Sequence, residues 1–448
     1  MKLFRFFSTG INLPLLTDKQ EIDKRYKKYR LNVMLAVTLG YGLAYPLRLA
    51  LSAMKKPLID ANIFSATELG AIGSALLYAY AFGKLTNGFL ADHANVKRFF
   101  AFGVVLSSLI NLLIWQSTIL WVWIVLWGMN GWFQGFGAPT GAVTLANWFS
   151  TRERGRLYGI WSTSHALGEL LTFLVSTTLV AFFGWKAGFW GPGVFCLFVA
   201  VGIYLLLQDR PQTMGLPPVA DWKHDHVQQN NTSEKYIKTG AAQLSILKLP
   251  SIWILGLASA TMYVTRYAIN SWGIFYLQEA KGYSLVEAGG IIGSNTVAGL
   301  VGCVAYGFIS DNLFKARRPP VTLIFGIIEI ISLFVIFVSP LTNPTVLTLA
   351  FVVYGFTLSG LLAALGGLFA IDIAPKKAAG AVMGFIGVFS YIGAGVQDQI
   401  SGYLIEHGTT IVGGVRHYNF DTVILFWIGA SIVSLVLAVT LWNVKVSD

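Results

Sequence analysis

The chain has 448 residues, of which 55% are hydrophobic and 12% charged, and its mean hydropathy is +0.63. An average soluble domain carries about 25% charged residues, so this composition excludes an ordinary water-soluble fold. The formal net charge of +11 does not signal nucleic acid, because the basic residues are spread over alternate loops and form no single patch.

Taken in chain order, residues 1–16 lack both an apolar core of signal-peptide length and a small-residue cleavage site, so no cleavable leader is expected. Thr17–Arg30 (TDKQEIDKRYKKYR) is strongly basic and reads as a juxtamembrane helix touching anionic headgroups. Apolar stretches long enough to cross a hydrocarbon core of about 30 Å then recur to the end of the chain. The expected spans are 31–54, 66–91, 98–117, 119–147, 157–183, 186–208, 251–277, 285–310, 321–339, 345–373, 379–406 and 421–444. They are continuous rather than alternating, which excludes a β-barrel. With the N-terminus inside, 24 of the 32 Lys and Arg residues fall on the cytoplasmic side, five outside and three within helices, so both termini are expected to be cytoplasmic.

Charges inside spans are expensive in lipid and mark function. Arg48 lies near the middle of the first span, with Tyr45 and Tyr41 one and two turns before it. The second span carries Tyr80 and, one turn later, Lys84, which either joins an anion cavity or snorkels. It closes on Gly88-Phe-Leu-Ala-Asp92, followed by Lys97 and Arg98. The fourth span is rich in glycine (Gly131, Gly135, Gly137, Gly141), as are the eighth and the eleventh (Gly384, Gly387, Gly393, Gly395), spacings that let helix backbones approach. His165 and, one turn on, Glu169 lie in the fifth span. His165 is either a hydrogen-bonded structural group or a phosphate ligand, since its titration range overlaps the second ionisation of a phosphate monoester. Cys196 and Cys303 fall in apolar spans and read as small packing residues, with neither disulfide nor metal framework.

A long polar, Pro-containing stretch occupies residues 209–250 and separates six spans from six. Beyond it Tyr263-Val-Thr-Arg266 repeats Tyr45-Pro-Leu-Arg48 at an offset of 218, and Gly307-Phe-Ile-Ser-Asp311 repeats Gly88–Asp92 at an offset of 219, again before basic residues (Lys315, Arg317, Arg318). Two marks at nearly one offset indicate a duplicated six-helix unit. Parallel halves of this kind are what major facilitator transporters look like, with substrate held between them at mid-membrane. The two Gly-to-Asp loops with their basic residues (Asp92, Lys97, Arg98; Asp311, Arg317, Arg318) are similar to that superfamily's cytoplasmic gating motif. The duplication aims Arg48 and Arg266 at a common axis, where two guanidiniums make a clamp for phosphate or carboxylate. Glu169, Asp398 and Glu329 are intramembrane acids that either pair with these cations or carry protons. With no nucleophile and base pair, phosphate-cradling glycine loop or metal-ligand cluster, neither an enzyme nor a cofactor or metal site is expected.

At these residues the sequence resembles the organophosphate:phosphate antiporter family of the major facilitator superfamily, over essentially the whole chain. The resemblance rests on Gly40-Tyr41 with Tyr45 and Arg48, Tyr80-Ala-Phe-Gly-Lys84, Trp127 through Gly137, Arg154-Gly155 through Trp161 and His165, Arg266 with Trp272, and Gly384 through Gly393. Pro14–Lys19, Glu21–Asp23, Asp209–Gln212, Gly215 and Trp222–Asp225 look closest to the hexose-phosphate (UhpC-like) branch, whose members are glucose-6-phosphate sensors beside a histidine kinase or glucose-6-phosphate transporters. The resemblance implies that Arg48 and Arg266 bind phosphate, surrounded by Lys84, His165, Tyr41, Tyr45, Tyr80 and Tyr263. Several positions depart from the family pattern: Leu49 replaces a lysine, His165 is followed by Ala-Leu-Gly-Glu169 in place of Asn-Val-Gly-Gly, Ser271 replaces an acid before the tryptophan, and Thr296 a glutamate.

The expectation is therefore an all-α membrane protein of twelve transmembrane helices in two six-helix halves, 1–208 and 251–448, joined by a cytoplasmic linker, 209–250. The resemblance implies a bacterial inner-membrane, monomeric antiporter exchanging a hexose phosphate, glucose-6-phosphate first, for inorganic phosphate by alternating access. The alternatives are a sensor of external hexose phosphate with the same fold, and glycerol-3-phosphate as substrate. The expected partners are phosphorylated sugar, inorganic phosphate and the lipid bilayer, with no nucleic acid.

Overall fold

The fold is known from a computed structural model that describes residues 6–224, 248–315, 317–340, 342–369, 373 and 379–443, without the side chains of 151, 152, 154, 155 and 379–381. The middle of the linker, Asp225 of the tryptophan motif, residues 370–372 of span 345–373, residue 444 of span 421–444 and the side chain of Arg154 lie outside what is described.

Each expected span coincides with a helical segment: α1 Lys19–Asp60, α2 Ala66–His93, α3 Val96–Ile114, α4 at 120–148, α5 at 151–183, α6 Ala187–Leu206, α7 Pro250–Lys281, α8 Leu285–Asn312, α9 Arg318–Phe337, α10 Pro344–Leu368, α11 Ala379–His407 and α12 Asp421–Thr440. Nine of these, among the described residues, are long and apolar enough to cross a membrane; α2, α4 and α11 are the others. α4 is interrupted between Leu120–Gln134 and Gly137–Trp148. α2 and α11 carry polar interior residues such as Lys84, Asn87, Gln397 and Asp398, because they face each other in the middle of the molecule.

Sequence alone explains several helix ends. Ser65 and Glu68 form a capping box at the start of α2, and Ser284 and Glu287 form another at the start of α8. Their spacing is again 219 residues, a third mark of the duplication. Between α11 and α12 a hairpin, β1 Thr409–Val412 and β2 Val415–Tyr418, turns through Gly413 and Gly414, both at positive φ.

Helix α1 starts earlier than the first expected span. Asp18 caps it, accepting from the Gln20 amide at 2.9 Å, and the basic segment is its first turns. One face of those turns packs on protein and not on headgroups: Tyr26 is fully buried, its ring 4.0 Å from and stacked on Trp222, whose Nε1 donates to Asp23 at 2.6 Å. Lys24, Lys27 and Lys28 on the other face stay exposed. Amphipathic spacing thus divides the segment between the start of the linker and the solvent-facing side.

The halves meet through α2 against α11 and α5 against α8, contacts that an offset of six segments carries one onto the other, and through α1 against α7. At one end they are tied together. The Thr67 amide donates to Glu406 at 2.8 Å, Arg416 donates to the Ile59 carbonyl at 2.8 Å, and Lys56 pairs with Glu279. At the other end, which carries the start of α1 and the end of α12, Gly88, Gly159, Gly384 and Gly387 face open space. Ties between the halves thus hold the first end together.

Small residues matter where backbones touch. A Cβ on Gly302 of α8 would lie 1.9 Å from the Phe356 carbonyl oxygen of α10, whereas one on Gly290 meets nothing within 4 Å. Gly302→Val is therefore expected to cost more than the roughly 1–3 kcal/mol of ordinary overpacking. A sharp loss of monodisperse protein and a lowered thermal midpoint, with Gly290→Ala near wild type, check this.

Two expectations are corrected here. Cys196 is buried as expected, but Cys303 is exposed on the outer face of α8. Gly384 and Gly387 are not packing glycines, since a Cβ on either would meet nothing within 4 Å.

Candidate functional site

Pro46 has no amide proton and its ring collides with the preceding turn, so α1 is interrupted around Ala44–Tyr45. Carbonyls on either side of the break accept from side chains of α3 and α4. Asn111 and Asn130 donate to the Leu47 carbonyl at 3.0 and 2.7 Å, Gln134 reaches the Ala44 carbonyl at 3.5 Å, and Ser107 binds both Asn130 and Gln134. This buried polar cluster fixes the backbone on either side of Arg48. In the other half, Tyr354 donates to the Thr265 carbonyl at 3.2 Å and Thr265 donates to the Trp427 carbonyl at 3.3 Å, fixing the residue before Arg266. The helix then widens into a π turn at Ala268–Trp272.

Both arginines lie over the tyrosine three residues before them. The Arg48 guanidinium carbon is 3.9 Å from the Tyr45 ring centre and 4.9 Å from that of Tyr80; Arg266 is 5.6 Å from Tyr263 and 5.9 Å from Tyr267. Tyr391 of α11 joins the two sets. Its ring centre is 4.6 Å from Tyr80, 5.5 Å from Tyr263 and 6.3 Å from Tyr267. Lys84, half-buried, lies 5.3 Å from the Tyr391 ring and 5.9 Å from Tyr80. Tyr41 closes the ring at Tyr80, hydroxyl to hydroxyl at 3.2 Å.

His165 lies on the same wall, its ring 4.9 Å from Tyr41 and 5.9 Å from Tyr45, within electrostatic reach of both guanidiniums. Its Nδ1 donates to the Ser162 carbonyl at 3.1 Å, an assignment made from the hydrogen-bond network. In the neutral ring Nε2 is then an acceptor, so His165 donates to a phosphate only as the imidazolium.

The two arginines are not equivalent. Arg266 is ion-paired with Glu169 of α5, across the boundary between the halves. Arg48 is 6% exposed, has no carboxylate within ion-pair distance among the described residues, and its Nε has no hydrogen-bond partner. Of the two alternatives for Glu169, pairing with a cation or carrying a proton, the geometry shows the first, and with Arg266 alone of the two arginines. The cause is the glutamate where the family pattern has a glycine.

A second charged group was missed. Lys55, which orientation counting places outside the membrane, is 0% exposed and pairs with Asp398, 2% exposed, at 2.8 Å. Ser271 bridges them, 2.8 Å from the lysine and donating to the carboxylate at 2.7 Å, and the Trp272 ring centre lies 3.3 Å from the ammonium. Asp398 supplies from α11 the charge that the family pattern has at 271. A pocket of about 30 Å³, lined by Arg48, Ser52, Tyr80, Asn270, Ser271 and Asp398 among others, separates this network from Arg48. It has room for a water or two.

Glu329 stands apart. It is buried on α9, accepts from Ser431, and meets no cation within ion-pair distance among the described residues. At the loops, Asp311 pairs with Arg318 at 2.6 Å while Arg317 is exposed. In the first half Asp92 is exposed, Lys97 lies 4.8 Å from the Tyr204 ring, and Arg98 donates to the Phe6 carbonyl at 2.9 Å. Tyr267, Tyr391 and Lys55 are the site residues that the sequence reading did not single out; Tyr391 lies inside the Gly384–Gly393 motif, which was its one available signal.

The profile described as Major Facilitator Superfamily matches residues 29–397. A membrane sensor protein UhpC of Salmonella typhimurium is 33% identical over 88% of this chain and 90% of its own length. A glycerol-3-phosphate transporter of Bacillus subtilis is 33% identical over 95% of each chain. A probable hexose phosphate transport protein of Chlamydia pneumoniae is 30% identical over 91% of each. Among solved structures, a bacterial homologue of the human lysosomal transporter Spinster, in its inward-facing and unoccupied conformation, superposes with a TM-score of 0.77 at 17% identity, covering 94% of this chain and 99% of that one.

Proposed function

We propose that this chain, which belongs to the Major Facilitator Superfamily and to its organophosphate, hexose phosphate and glycerol-3-phosphate transporter family, exchanges a hexose phosphate, glucose-6-phosphate first, for inorganic phosphate by alternating access. In this reading all twelve segments cross a bacterial inner membrane, both termini are cytoplasmic, and a monomer is the working unit. The observation that carries it is the gathering of Arg48 and Arg266, from equivalent positions of the two halves, around tyrosines that Tyr391 joins into one set. A phosphate bridging them ties the halves together and lowers the barrier to their rocking. Asp92, Lys97, Arg98, Asp311, Arg317 and Arg318 hold the cytoplasmic side in the opposite state, with Asp311 and Arg318 already paired.

The tyrosine hydroxyls and Lys84 supply further donors around the phosphate. The sugar is favoured over glycerol by the linker and N-terminal motifs of the hexose-phosphate branch. A second reading is favoured by the match to a membrane sensor protein: binding of the same ligand and signalling to a kinase, with little flux. Phosphate-loaded proteoliposomes decide. Saturable uptake of radiolabelled glucose-6-phosphate, inhibited by inorganic phosphate and weakly by glycerol-3-phosphate, is expected of the carrier, whereas binding without counterflow supports the sensor.

A further inference from the structure

We propose that Glu169 is a tethered substitute for the substrate's phosphate, which occupies Arg266 when the site is empty and lets this carrier release phosphate without a counter-substrate, as a net flux beside exchange. The inference rests on the phosphate-carrying function proposed above.

Obligatory exchange has a physical origin in unpaired charge. An empty site with free guanidiniums is costly to carry through an occluded, low-dielectric state, so such a carrier waits for an anion. Here that cost is cut on one side. Glu169 stands on α5, one turn from His165 and on the half that holds Arg48, and its carboxylate reaches across to Arg266 on α7 of the other half. It makes the cross-half link that a bridging phosphate makes.

For the empty carrier to reorient, this contact between α5 and α7 has to hold while the halves rock. The pair is partly accessible, Arg266 at 18% and Glu169 at 11% of their side-chain surfaces, so an incoming anion can compete. Only one guanidinium nitrogen, Nη2, bonds the glutamate, which leaves the other donors of the fork for phosphate. Arg48, unpaired and laid on the faces of Tyr45 and Tyr80, is the residual attraction that draws the anion in; displacing Glu169 from Arg266 completes binding.

The test loads proteoliposomes of the full chain with radiolabelled inorganic phosphate and dilutes them into medium with or without unlabelled phosphate, under a potassium-valinomycin clamp. Wild type is expected to release label into phosphate-free medium at a rate within about tenfold of exchange. Glu169→Gln is expected to lower the ratio of net release to exchange by about tenfold or more, and to tighten phosphate binding measured calorimetrically, because the internal competitor is gone. Glu169→Asp, which keeps the charge, is expected to keep part of the net release, and it serves should the glutamine variant not fold. Brisk exchange with no release into phosphate-free medium overturns the inference and leaves the exchange function standing. So does an unchanged ratio in Glu169→Gln. Neither exchange nor release overturns both.

Discussion

Arg48→Lys is expected to lower phosphate-ester exchange by about one to two orders of magnitude while leaving the protein folded. Arg48 acts through shape: a planar fork held over the Tyr45 and Tyr80 rings, with an unpartnered Nε, offers two parallel bonds to one phosphate. A lysine at 48 keeps the charge but offers one point donor and loses the stacking. The loss of a charged hydrogen bond, about 1.5–3 kcal/mol, corresponds to the predicted drop. Arg266→Lys is expected to do less harm to folding than to exchange, because Glu169 still finds a cation. Measured exchange rates alongside size-exclusion profiles separate these effects, and wild-type exchange in Arg48→Lys contradicts the clamp.

The second large effect belongs to Asp398. Removing it leaves the fully buried Lys55 amine without its carboxylate and, among the described residues, with Ser271 and the Trp272 ring. Breaking a buried pair by deleting one partner costs about 3–5 kcal/mol. Asp398→Ala is accordingly expected to lose most folded protein or to unfold far below the wild-type midpoint. Because Ser271 Oγ is 2.8 Å from Lys55 Nζ, a carboxylate moved there sits within reach of the same ammonium. Ser271→Asp combined with Asp398→Ser is expected to recover a large part of the stability. Yield and thermal midpoint of the two variants beside wild type check this; an Asp398→Ala protein as stable as wild type removes the network from the account.

These effects locate what the sequence could and could not disclose. The spans were legible because lipid demands runs of apolar residues, and Arg48 and Arg266 were legible because a charge within such a run has few places to go. The duplication appeared as a fixed offset, to which the capping boxes at Ser65 and Ser284 add a third instance. The partner of each charge was not legible. Glu169 and Arg266 are 97 residues apart, and helical periodicity says which face a residue is on, not which helix lies opposite. Lys55 stands next to Lys56 and Pro57, a pattern that reads as the wet end of a span. Only α7 and α11 folding over it make that position interior, while Lys56 does reach the surface and pairs with Glu279. The juxtamembrane segment failed the same way: its charge was visible, but the burial of Tyr26 depends on Trp222 nearly two hundred residues later.

Calorimetric titration of the purified protein with glucose-6-phosphate, inorganic phosphate and glucose, repeated in Arg48→Ala and Arg266→Ala, tests the paired-arginine site most directly. Saturable binding of both phosphates, none of glucose, and a loss of about a hundredfold or more in affinity in Arg48→Ala is the result expected. Undiminished phosphate binding in both folded variants, or equal binding of glucose, contradicts it.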